Sequence, residues 1–210
     1  MKKPRRAART FAFLSPLLLV LSSSLALTKP FTLEQVRSYA YPENLVSAEK
    51  FPRIAWSSDD AGHRNIWVAD GEPLRARQVT NYTRDDGQDL TNLSLTADGA
   101  RLVYVRGGEH GGNWDTGSPV NVLSDPVGTK VEVWVVDLGG AGTASAPRLI
   151  GEGDSPAVSP DGKRVVYMKG PEAWIASLDG EPNPKKLFTI RGIAQSPAVS
   201  LSTLPSSPTE

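Results

Sequence analysis

Five residues, Ser-Pro-Ala-Val-Ser, occur twice in this chain, from Ser155 and again from Ser196, an offset of 41 residues. Other markers recur as well, the last two of the Trp tetrapeptides 40 residues apart. Trp67-Val68-Ala69-Asp70, Trp134-Val135-Val136-Asp137 and Trp174-Ile175-Ala176-Ser177 are three versions of one tetrapeptide. The turn Thr96-Ala97-Asp98-Gly99 returns as Ser159-Pro160-Asp161-Gly162, each time running into an alternating stretch, "RLVYV" from Arg101 and "RVVYM" from Arg164. A repeat of this length cannot bury its apolar side alone, so its copies must lean on one another.

The compact copy spells out the unit. Pro160 presets φ for a turn, and Gly162 can take the positive φ that a tight hairpin needs. Strand residues alternate on either side of that turn. Ala173 to Leu178 reads as the next strand, Leu178-Asp179-Gly180 as a turn, and Lys185 to Ile190 as a fourth strand. Four strands in about 41 residues is the size of one β-propeller blade. A β-sandwich would explain the alternation but not the recurrent Trp tetrapeptides. The expected fold is therefore all-β: an incomplete β-propeller, with Asp98, Gly99, Asp161 and Gly162 as structural turns.

Blades are expected over residues 51–92, 93–153 (stretched by an insertion from Gly107 to Lys130) and 154–192, with a fourth begun over 195–200. Residues 27–50 read as a segment leading into the first blade. Residues 201–210 read as a disordered tail, since seven of those ten are Ser, Thr or Pro. The tail reads as an interruption of a fourth blade. Closed propellers need about four to eight blades, so this array is expected to stay open and to be marginal or sticky by itself.

Residues 1–26 carry Lys2, Lys3, Arg5, Arg6 and Arg9, then an apolar run from Phe11 to Leu21, then Ser24-Leu25-Ala26. This order describes a secretory signal peptide cleaved after Ala26, and the run is short for a membrane span. Secretion or a periplasmic location follows as an expectation. Cleavage would remove five of the 23 basic side chains and none of the 23 acidic ones. The mildly acidic remainder has no basic cluster, so nucleic acid is not an expected partner. With no Cys, disulfides, thiolate metal sites and a Cys nucleophile are excluded.

"SPDGKRVVY" followed by "AWIASLDG" resembles the repeat of TolB-type propellers. It equally resembles the N-terminal propeller of the prolyl oligopeptidase family of serine peptidases, the group of dipeptidyl peptidase IV and acylaminoacyl peptidases. "KPFTLEQV", "RNIWVAD", "RQVTNYTRDDGQDLTNLSLTADGARLVYVRGGEHGGNW" and "VEVWVVDL" are similar to the start of bacterial secreted members of that family. The second resemblance implies a propeller that restricts peptide access to a Ser-Asp-His site in a C-terminal α/β-hydrolase domain. The chain contains no G-x-S-x-G elbow. Its nearest approach, Gly153-Asp154-Ser155-Pro156-Ala157, reads as the start of a blade strand. No adjacent Glu pair, the amine anchor of dipeptidyl peptidases, is present either. No catalytic, cofactor-binding or metal residue is therefore assigned, and the chain alone is expected to be inactive. The first resemblance implies instead a periplasmic, non-enzymatic interaction scaffold.

Among residues that carry chemistry, His110, Trp114 and Asp115 lie in the glycine-rich insertion and form a candidate substrate-gating loop, since repeat insertions often lie on a binding face. His63 reads as a surface residue between strands. Asp85, Asp86 and Asp89 flank Gly87 but miss the EF-hand order and read as a solvated turn. Asn81 and Asn92 sit in glycosylation sequons that matter only in a eukaryotic secretory route. Trp67, Trp134 and Trp174 read as blade packing.

Overall fold

A computed structural model describes residues 31–107, 130–139 and 144–191. The signal segment, His110, Trp114, Asp115, the start of a fourth blade and the tail all lie outside the described residues. After a short helix α1 (Leu33–Arg37), the described chain is a succession of strands. They are β1 (Tyr41–Ser47), β2 (Arg53–Asp60), β3 (His63–Asp70), β4 (Arg75–Gln78), β5 (Leu90–Leu95), β6 (Arg101–Arg106), β7 (Glu132–Asp137), β8 (Arg148–Glu152), β9 (Asp154–Val158), β10 (Arg164–Lys169), β11 (Glu172–Ser177) and β12 (Lys185–Thr189). They form three four-stranded antiparallel sheets, β1–β4, β5–β8 and β9–β12, each an up-and-down meander. Three such sheets in series are propeller blades.

The first sheet differs from the expected boundaries. Its first strand, Tyr41–Ser47, falls in the stretch read as a lead-in, and β5 begins at Leu90 rather than at residue 93. The reason is visible in β1 itself. Only Val46 is even half-buried there, so the strand carries no apolar alternation to read.

Alternation along the middle strands sorts side chains onto two faces. In β6, Leu102 and Tyr104 face the first sheet and pack with Ala55, Ile66 and Val68. Val103 and Val105 face the third sheet and pack with Val165, Tyr167, Ala176 and Leu178. The middle sheet is therefore apolar on both sides. Each of its fully buried side chains contributes about 1.5–3 kcal/mol. Trp134 and Trp174 pack half-buried against these two cores.

Two devices repeat at matching positions. The first is the turn between a sheet's first and second strands. Thr96 Oγ1 donates to Asp98 Oδ1 (2.6 Å), which also accepts from Ala100 N (3.0 Å), while Thr96 Oγ1 accepts from Arg101 N (3.0 Å). Ser159, Asp161, Lys163 and Arg164 form the same ring at 2.5, 3.0 and 3.0 Å. Gly99 and Gly162 close the two turns at φ 68° and 69°, where a side chain would be strained. The Thr96 and Ser159 hydroxyls, and then the Ala100 and Lys163 amides, hold the Asp98 and Asp161 carboxyls below the usual carboxylate range.

The second device is a bulge in each first strand. Asn44, Asn92 and Ser155 stand at φ 55°, 50° and 50°, and the ladder slips one step at each. Asn tolerates this left-handed conformation better than most residues do. The bulge turns its amide outward to the neighbouring sheet. Asn44 Nδ2 donates to Leu90 O and Asn92 Nδ2 to Asp154 Oδ1, both at 3.0 Å.

Candidate functional site

Antiparallel meanders in series give the stack two ends. At one lie the Asp-Gly turns. At the other lie the hairpins β2–β3, β6–β7 and β10–β11 and the links between sheets.

The turn end is built from arginines that open the second strand of a sheet. Arg53 is paired in register with Asp70, and Arg101 with Asp137, the last residue of each Trp tetrapeptide. Arg53 Nε donates to Asp70 Oδ2 (2.9 Å), Nη1 to Gly99 O of the next sheet, and Nη2 to Gly139 O (3.4 Å). Arg101 repeats the pattern one sheet on. Its Nε donates to Asp137 Oδ1 (2.9 Å), Nη1 to Gly162 O (3.1 Å) and Nη2 to Asp179 Oδ1 (2.5 Å). The outer strands add a second arginine per seam, Arg77 to Leu138 O (3.1 Å) and Arg148 to Leu178 O (2.9 Å). Each seam is thus riveted by guanidinium groups of the earlier sheet on backbone carbonyls of the later one. The fork of donors on Arg suits this task. Asp70 and Asp137 had been legible as markers of the repeat. Their arginine partners were missed, because a cation at a strand end looks like ordinary solvated charge. The signal available was an Arg two residues after Gly99 and again two residues after Gly162, at the start of the second strand.

The hairpin end is where binding loops gather, and its described part is a charge network beside a cleft. Arg64 of β3 faces three carboxylates, Asp59 (3.2 Å), Asp85 (3.9 Å) and Asp89 (3.1 Å). Arg106, which closes β6, pairs with Asp86 and lies 4.5 Å above the Tyr82 ring. Tyr82 and Tyr104 share a hydrogen bond of 2.7 Å. Burial pushes both phenols above the ordinary range. Asp86 and Asp89 of "TRDDGQDL" are therefore ion-paired with guanidiniums, while Asp85, 57% exposed, stays largely solvated. Among the described residues no group of acids and histidines has the arrangement of a metal site.

Beside this network a cleft of ≈ 330 Å³ is lined by Ser58, Asp60, His63, Asn65, Trp67 and Tyr82, among others. His63 is exposed and stands across the ladder from Asp60. Trp67 forms an apolar wall. Asn65 is committed to holding the β4–β5 link, donating to Tyr82 O (2.9 Å) and accepting from Thr80 Oγ1 (3.0 Å) and Tyr82 N (2.7 Å). The insertion after β6 leaves from this same end, since Gly107 N donates to Asp89 O (3.2 Å) and Val131 O accepts from Gly153 N (2.9 Å). Gly153 to Ala157, the nearest sequence to a nucleophile elbow, is strand β9 and its approach, not a strand-to-helix turn. Asn81 is exposed, whereas the amide of Asn92 is taken by Asp154. Among the described residues no helix is long and apolar enough to cross a membrane.

No family model matches the chain, and no curated protein matches it. Solved structures do. TolB from Acinetobacter baumannii aligns with a TM-score of 0.42 at 17% identity, over 73% of this chain and 35% of that one. A prolyl endopeptidase, from a study of two such enzymes, aligns at 0.47 and 13% identity, over 71% of this chain and 22% of that one. Pyrococcus horikoshii acylaminoacyl peptidase aligns at 0.43 and 11% identity, over 72% and 26%. The chain therefore spans between about a fifth and about a third of these proteins.

Proposed function

We propose that this chain is the N-terminal propeller portion of a secreted prolyl-oligopeptidase-like serine peptidase, in which it controls peptide access to a hydrolase domain. One observation carries this reading most directly. The hairpin end carries the Arg64 and Arg106 networks, the cleft lined by His63 and Trp67, and Gly107 and Val131, the described residues that flank the insertion. A rigid stack with its variable loops at one end suits a gate over a partner domain. His110, Trp114 and Asp115 belong to that insertion and are proposed to meet the peptide. Export through residues 1–26 to the periplasm or beyond belongs to the same proposal.

The same surface supports a second reading, a periplasmic TolB-like scaffold whose hairpin end docks another protein. The two separate cleanly in an experiment. The chain is expressed together with whatever its reading frame encodes downstream, and the product is treated with a fluorophosphonate probe that labels activated serines. Labelling of one polypeptide that also carries these blades, blocked by a prolyl dipeptide substrate, is the expected result. A complete product that takes no label and turns over no chromogenic dipeptide overturns the peptidase reading. The 210-residue chain alone is expected to give no turnover.

A further inference from the structure

The three sheets share one register, which makes the cleft of the first sheet comparable with the same place in the other two. Ser58 faces Asn65 on the ladder where Arg106 faces Glu132 and Lys169 faces Glu172. Two residues further along, Trp67 stands where Trp134 and Trp174 stand. The basic side chain has the same duty in both later sheets. Arg106 pairs with Asp86 and covers the Tyr82 ring, and Lys169 Nζ donates to Glu152 Oε2 (3.1 Å). Each cation thus reaches back to a carboxylate that precedes its own sheet in the chain. In the first sheet this position holds the short, neutral Ser58, and the cleft opens beside it.

The lining of the cleft calls for a positively charged donor. Asp60 is exposed and makes no ion pair or hydrogen bond among the described residues. Arg64 is held by Asp59 (3.2 Å) and Asp89 (3.1 Å), and among the described residues no Lys or Arg lines the cleft. Ser58 is only 9% exposed, yet its hydroxyl has no hydrogen-bond partner among the described residues. A hydroxyl left in that state costs free energy that a bound donor recovers. Gln78 spends its amide nitrogen on Thr80 O (2.6 Å) and keeps an accepting oxygen. Trp67 supplies the aromatic face over which a cation gains most. Carboxylate, hydroxyl and indole together suit an ammonium or guanidinium carried on an apolar stem. A neutral sugar could stack on Trp67 but would leave the charge of Asp60 unanswered.

We propose that this cleft binds a basic side chain, Lys or Arg, of a peptide or protein partner. The stem lies along Trp67 and the charged head meets Asp60 and Ser58, in the place that Arg106 and Lys169 fill in the other two sheets. The inference holds whether the hairpin end gates a hydrolase domain or docks another protein, because it is read as binding by this chain and not as turnover.

The test is isothermal titration of the 210-residue chain with three peptides: acetyl-Ala-Arg-Ala-amide, acetyl-Ala-Gln-Ala-amide and the unblocked Ala-Gln-Ala-amide. N-acetylglucosamine serves as the neutral sugar. The arginine peptide is expected to bind at least about tenfold tighter than any of the others, the effect of one charge-assisted contact. Asp60→Asn, at an exposed side chain, is expected to abolish that preference with an unchanged far-ultraviolet circular dichroism spectrum. Trp67→Phe, which keeps an aromatic face, is expected to retain more of the affinity than Trp67→Leu. No saturable binding of the arginine peptide up to about 10 mM would overturn the proposal. So would equal binding of the glutamine peptide, a preference for the free N-terminus, tighter binding of the sugar, or an Asp60→Asn variant that keeps the wild-type preference.

Discussion

Replacing Arg53 and Arg101 by Met in turn should give unequal losses of stability, although the two arginines hold the same place in successive sheets. Arg53 is 4% exposed and Asp70 14%. Removing the cation leaves Asp70, among the described residues, with the cation of Arg77 at 3.5 Å, and strips Gly99 O of the Arg53 donor. Deleting one partner of a buried pair costs about 3–5 kcal/mol, and the residual Arg77 contact sets the expectation for Arg53→Met at about 3 kcal/mol. Asp137 and Asp179 are 47% and 55% exposed. Exposed pairs contribute about 0.2–1 kcal/mol each. The bond from Arg101 to Gly162 O adds about 0.5–1.5 kcal/mol, so Arg101→Met should cost about 2 kcal/mol, the middle of a summed range of about 1–3.5 kcal/mol. In urea, with a slope of about 1–3 kcal/mol per molar, the two midpoints should differ by roughly 0.5–1 M. Adding Asp70→Asn to Arg53→Met should recover part of the loss, since the stranded charge is gone. Equal costs for the two variants, or no recovery in the double one, would refute the assignment of Arg53 as a buried rivet.

Two further outcomes follow from the turns and links. Asp98 and Asp161 have folded pKa values below their unfolded ones. Their contribution is present above the ordinary Asp value of about 3.9 and disappears as pH falls through the lowered folded values. Thermal melts of an Asp98→Asn, Asp161→Asn variant should therefore converge with wild type as the acid limb is descended, and a gap that stays constant down to the lowest pH would count against the turn chemistry. Gly153→Ala should destabilise strongly, because a Cβ there meets Met168 O at 2.4 Å and the Tyr167 ring at 2.7 Å with φ at +151°. A melt within error of wild type would show the third sheet packs otherwise.

Much of this architecture was legible because it is written in local grammar. The Asp-Gly turns at 98–99 and 161–162 and the alternation of 101–105 and 164–168 state strand, turn and period directly. What stayed hidden depends on the neighbour. β1 has no buried side chain, since among the described residues no further sheet lies against one of its faces, and so "YPENLVS" did not look like a strand. Asn92 reads as a sequon, and only its left-handed backbone and its reach to Asp154 reveal a bulge. Asp85, Asp86 and Asp89 look like loop acids until Arg64 and Arg106 arrive from other strands. The hairpin end was the least legible, because its residues meet across sheets.

The rivets and the loops sit at opposite ends of the same strands. Seam arginines grip carbonyls at the turn end, while the long excursion between Gly107 and Val131 departs from the far side. Such a division lets a lineage rewrite one rim of the molecule, lengthening or retuning its loops, while the fastenings that set blade spacing remain untouched.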